Sequence, residues 1–137
     1  MSAAPLEGRL ARSALAQTLR VLGVLHGSLL VLGETLRSWG QGRPLAFVLD
    51  DFLIGGFVIG AALAFRADDL RRRAALAAAW GANAGGLYSS FFGKLFAEPG
   101  AEFHTNIPAG LLTALIGLAF ATSLFGMIAT IAMSPRR

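Results

Sequence analysis

Glu34, Arg37, Asp50, Asp51 and Lys94 each stand at the edge of a long apolar run. Ionisable groups in such runs are costly to keep and are functional candidates unless they pair with one another. Ser90 adds a hydroxyl near Lys94. If the apolar runs are antiparallel helices, all six residues fall at similar depth and form one polar cluster. Two chemistries suit it. One is a binding or proton-handling site in which Lys94 faces Asp51. The other is a belt of salt bridges tying three helices together. The three acids Glu34, Asp50 and Asp51 against the two bases Arg37 and Lys94 leave one carboxylate without a basic partner.

His26 and Asn83 lie deeper in their runs and could floor such a site. A histidine there can relay a proton or ligate haem. A bis-histidine haem needs a second histidine at matching depth, and His104 falls in a loop. The competing reading has His26 bonded across helices to Asn83, Ser90 or a backbone carbonyl. His104 with Glu98 and Glu102 has ligand chemistry but loose loop spacing, so no metal site is assigned. Trp80, Asn83, Tyr88, Ser89 and Ser90 could line a pocket for a flat ligand such as a quinone. They could equally supply interhelical hydrogen bonds, which average about 0.6 kcal/mol each in a membrane.

No Walker loop, zincin pattern or nucleophile elbow occurs, so no catalytic residue is assigned and the chain leans away from being an enzyme. It has no cysteine. That excludes disulfides, cysteine zinc sites, thiol redox chemistry and covalent haem attachment. No cofactor is identified.

The elements that must carry these residues follow from composition. Of 137 residues, 55% are hydrophobic and 15% charged, with a mean hydropathy of +0.61. Average soluble domains are roughly 45–50% apolar and about 25% charged. The expectation is an all-α integral membrane protein, one domain over residues 1–137, with four transmembrane helices at about 14–36, 45–65, 74–96 and 107–133. The second span is a deduction. Its clean apolar run, 52–65, is too short for the ~20 residues a span needs. The helix must therefore reach back to about Leu45, carrying Asp50 and Asp51 inside it. The third span, 74–96, is polar for a membrane helix. In steps of three and four, Trp80, Asn83, Leu87, Ser90 and Lys94 share one face, as His26, Leu30, Glu34 and Arg37 do on the first. Small-residue ridges suited to close helix contact are Gly56–Gly60–Ala64, Gly81 with Gly85, and Ala78–Ala82–Gly86. Thr105 or Asn106 is expected to cap the fourth helix, with Pro108 in its first turn.

Short loops imply an up-down-up-down bundle. Arg9, Arg12, Arg20, Arg66, Arg71, Arg72, Arg73, Arg136 and Arg137 fall on one side, and Arg37, Arg43 and Lys94 on the other. The positive-inside rule then sets an N-in/C-in topology. A basic start before an apolar stretch also suggests a signal peptide, but no small-x-small cleavage pattern follows, so the first run reads as an uncleaved anchor. The net charge of +4 does not indicate nucleic acid, because the basic residues separate apolar runs instead of forming a basic face. Abundant alanine, glycine and arginine suggest a GC-rich bacterial genome, hence a multi-pass protein of the bacterial inner (cytoplasmic) membrane. Its expected partners are the lipid bilayer and a second copy or another membrane subunit.

Arg20 with Gly23, Asp51 before Gly55-Gly56, and Arg66 give the chain a resemblance to the DoxX-like family of small four-helix bacterial membrane proteins. The resemblance implies association with a membrane redox complex. Three functions therefore stand as expectations: a non-enzymatic accessory or interaction subunit with an outward-facing charged cluster, a small oligomeric transporter or channel using those charges, and a DoxX-like redox subunit.

Overall fold

A computed structural model shows four α-helices: α1 Ala4–Ser38, α2 Leu45–Ala64, α3 Leu70–Leu95 and α4 Ala109–Ala132. It describes residues 4–42, 44–98, 100, 101, 103 and 105–133, without the side chains of 4–6 and 47. Arg43, Glu102, His104, Arg136 and Arg137 lie outside the described residues. Two helices, α1 over Glu7–Ser38 and α4 over Ala109–Ala132, are long and apolar enough to cross a membrane.

Three helix starts differ from expectation. The segment before residue 14 is not a separate lead but the opening of α1, which runs for 35 residues, about 52 Å. Pro5 falls in the first turn, where its missing N–H costs nothing, and nothing up to Leu36 breaks the helix. α3 begins at Leu70, inside the stretch expected to be a turn. There Asp69 Oδ1 accepts from the backbone N–H groups of Arg71 (2.9 Å) and Arg72 (3.2 Å) and so caps the helix. α4 begins at Ala109 after Pro108, with no side-chain cap. Thr105 Oγ1 instead accepts from Ile107 N–H at 3.1 Å. Asn106 reaches across to α1: its Nδ2 donates to Leu36 O and Trp39 O, each at 3.1 Å. An asparagine expected to start one helix thus closes the end of another. Gln41 Nε2 donates to Asn106 Oδ1 and completes the clasp.

α1 packs most closely on α2 and α3 on α4, with lighter α2–α3 and α1–α4 seams; α1/α3 and α2/α4 lie on diagonals. Neighbours are antiparallel. Arg37 near the end of α1 meets Asp51 near the start of α2, and Arg73 near the start of α3 donates to Met133 O beyond α4. One end of the bundle therefore carries the α1–α2 and α3–α4 loops, here the loop-pair end. The other carries the α2–α3 turn and both chain ends, here the terminal end.

The main core lies toward the terminal end, where Leu19, Val58, Ala62, Phe65, Leu76 and Trp80 are buried together. A smaller cluster of Leu87, Leu112 and Ile116 lies toward the loop-pair end. Close approach at two places depends on glycine. A Cβ on Gly126 would stand 2.4 Å from Trp80 Cε2, so the indole lies flat on the α4 backbone. A Cβ on Gly27 would stand 2.6 Å from Gly55 O, and one on Gly55 2.9 Å from Gly27 O.

This corrects the ridge assignment. Gly56, Gly60 and Ala64 turn outward, and the two glycines have open space at Cβ. Ala78, Ala82 and Gly85 are exposed as well, whereas Gly81 borders Met127 and Gly86 borders Ile54. The face of α2 that meets α1 is Asp51–Gly55–Val58–Ala62, one helical stripe in steps of three and four. Gly27→Ala should therefore destabilise the bundle by about 1–3 kcal/mol through overpacking. Gly60→Ala should be neutral or stabilising by roughly 0.5–1 kcal/mol through helix propensity. Thermal unfolding of the two variants, followed by circular dichroism, checks the contrast.

Candidate functional site

At the loop-pair end, the last turns of α1 run beside the first turns of α2. The α1 face that meets α2 continues Leu19, Gly23, Gly27 and Leu30 to Glu34 and Arg37. The sequence thus carries one packing stripe into a charged one. Glu34 is 3% exposed. Its Oε2 lies 2.6 Å from Arg37 Nη2, and its Oε1 accepts from Ser38 Oγ. The same guanidinium nitrogen lies 3.6 Å from Asp51 Oδ2, so the two carboxyl groups share one cation. Asp51 is half-buried, and Asp50 beside it is exposed. Burial, ion pairing and a hydroxyl donor are combined at this one end of the bundle.

Of the six expected residues, ion pairs bring together Glu34, Arg37 and Asp51, with Asp50 next to Asp51 in sequence. Lys94 is on α3, diagonal to α1, and its Nζ stands 5.5 Å from the centre of the Phe103 ring. Ser90 is half-buried on the same helix and joins none of the bonds at Glu34, Arg37 and Asp51. Helix arithmetic gave these six residues a common depth. It could not tell which helices would be neighbours and which diagonal.

His26 and Asn83 do come together, at mid-bundle. Asn83 Nδ2 lies 2.5 Å from His26 Nε2 and donates to Ser123 Oγ at 3.1 Å. Ser123 Oγ lies 3.2 Å from His26 Nε2 and donates to Ala119 O at 2.8 Å. With Ser123's proton committed to Ala119, His26 Nε2 is the acceptor for Asn83, which puts the imidazole proton on Nδ1. The imidazole also packs against Trp80, ring centres 5.2 Å apart. The node joins α1 to α3 across the diagonal and to α4. Ser123 is the member sequence reasoning missed. Its signal was a hydroxyl in a highly apolar helix, one of four with Thr113, Thr122 and Thr130.

The group considered for a flat ligand is divided. Trp80 and Asn83 point inward, while Tyr88 and Ser89 are exposed. Tyr88 packs on Phe92 and Phe120, ring centres 4.8 and 6.0 Å away. Among the described residues, no cluster of three or more His, Cys, Asp or Glu side chains could hold a metal ion. Glu98 belongs to the loop-pair end, and its two proposed co-ligands lie outside the described residues.

Compared with known protein families, curated proteins and solved structures, the chain matches none. The DoxX-like resemblance therefore rests on its few residues, several of which have local packing duties. Gly23 borders Ala62 and Gly55 borders Gly27, and Arg20 Nη2 donates to Leu63 O at 3.5 Å.

Proposed function

We propose that this chain is a polytopic membrane protein that serves as a non-enzymatic interaction subunit, engaging a partner at the Glu34–Arg37–Asp51 cluster. The observation that carries this is the exposed acid beside the ion-paired cluster. Arg37 pairs with both Glu34 and Asp51, and Asp50 next to them is exposed, which sets an accessible carboxylate at an end of the bundle. A cationic side chain on a neighbouring subunit complements it.

Insertion of all four helices is supported by their outward faces. Leu25, Leu29, Leu32, Leu53, Leu118 and Ile128 are among many large apolar residues left exposed. The candidate spans in α1 and α4 are each only 22% buried, unlike the core helix of a soluble protein. A solvent that accepts such faces is lipid. The arginines concentrate at the terminal end, which supports N-in/C-in in an inner membrane. The natural absence of cysteine allows a direct test. Gln41→Cys should react with an impermeant maleimide added to intact cells, and Asp68→Cys only after lysis. The reverse pattern refutes the orientation.

Affinity purification in mild detergent tests the interaction reading. A stoichiometric partner should copurify with the native chain and be lost with Asp50→Asn/Asp51→Asn. Recovery of the chain alone would overturn it. The same acidic cluster supports a second reading, an oligomeric transporter. Its mark is cation or proton flux in proteoliposomes that Asp51→Asn abolishes.

A further inference from the structure

The two termini of the α3–α4 hairpin enclose a groove at the terminal end. It has a volume of about 300 Å³ and is lined by Leu70, Arg73, Ala74, Ala77, Thr130 and Ile131. Its walls are apolar apart from Arg73. Thr130 adds no free hydroxyl, because its Oγ1 donates to Gly126 O at 2.6 Å. The alanines at 74 and 77 keep the groove open where a leucine would fill it.

One end of the groove is cationic. Arg73 Nη1 donates to Met133 O, which fixes the guanidinium at the rim and leaves its other N–H groups for a ligand. Arg71, two residues back along α3, points to a different helix face and lies outside the groove lining. It is exposed, and its side chain has no partner among the described residues. Arg72, by contrast, is held by Asp69 at 3.2 Å and by Ala64 O at 3.2 Å.

We infer that this groove binds one anionic phospholipid, its acyl chain along Ala74, Ala77 and Ile131 and its phosphate on Arg73. An apolar channel with a guanidinium group in its lining complements an amphiphile with an apolar tail and an anionic head. Guanidinium matches phosphate oxygens in bidentate geometry. The inference rests on the membrane reading above, under which the terminal end lies at the cytoplasmic headgroup level.

Native mass spectrometry of the purified full chain in detergent, titrated with dioleoyl phosphatidylglycerol or dioleoyl phosphatidylcholine, tests it. Phosphatidylglycerol should be retained about fivefold more tightly, given the attraction of one arginine to an anionic lipid. Arg73→Gln should abolish that preference, whereas Arg71→Gln, outside the groove, should leave it in place. Ala77→Leu should weaken phosphatidylglycerol binding with every charge in place. Equal retention of the two lipids overturns the inference. So does an Ala77→Leu variant that binds phosphatidylglycerol like the native chain, or inorganic phosphate competing as well as the lipid. Carbonate washing of membranes separates this from the reading beneath it. A chain that stays in washed membranes but binds both lipids alike loses only the groove; a chain released by carbonate loses both.

Discussion

Arg37→Met should destabilise the protein by roughly 3–5 kcal/mol, the usual cost of stranding one member of a buried ion pair. Glu34 is almost wholly buried and lies 2.6 Å from the guanidinium. Without Arg37 its carboxyl group loses the guanidinium contact at 2.6 Å while it stays buried beside the acidic Asp51. The double variant Glu34→Met/Arg37→Met should recover much of the loss, because the buried Glu34 charge goes with its partner and only the half-buried Asp51 is left without its arginine. Unfolding in detergent, followed by Trp80 fluorescence in a Trp39→Phe background, measures both. A double variant no more stable than Arg37→Met alone would show that Glu34 is not what Arg37 stabilises.

Trp80→Ala should cost a similar amount, about 3–5 kcal/mol. Trp80 is fully buried, packs with Leu19, Val58 and Leu76, and covers Gly126 and His26. Gly126→Ala attacks the same contact from the other side. Its Cβ would stand 2.4 Å from the indole, so overpacking should cost about 1–3 kcal/mol. The two changes should not add. In the Trp80→Ala background the methyl at 126 enters vacated space, and its penalty should vanish or reverse. Circular dichroism melting curves of the four-member cycle give the coupling directly. Additive losses would mean that the indole and the α4 backbone do not touch.

Much of the helical layout was legible in the sequence, for identifiable reasons. The start of α2 at Leu45 follows from the shortness of the apolar run after Asp51. The meeting of His26 and Asn83 follows from two polar residues at matching depth on inward faces. What was hidden depended on helix rotation and adjacency. Two small faces were available on α2, and the repeated Gly56–Gly60–Ala64 spacing looked the stronger. Asp51 and Val58 share a stripe with Gly55, and that stripe turns Gly55 toward Gly27 instead. Lys94 had the right depth to meet Asp51 on the neighbouring α2, but Asp51 turns to Arg37 on the α1 seam and the Lys94 ammonium stands over the Phe103 ring. The role of Asn106 was hidden too, because capping rules consider only the helix that follows in sequence, and here the acceptors are Leu36 and Trp39, far back in the chain.

The uneven seams between helices bear on how the chain is made. α1 closes on α2, and α3 on α4, more extensively than either hairpin closes on the other. During synthesis the first hairpin can zip together through Gly27 and Gly55 before the second has emerged. What remains is to set the two finished halves in register, and the His26–Asn83–Ser123 bonds span that boundary. In this light the polar node is an alignment key between two preassembled halves, read late, after most of the backbone is already in place.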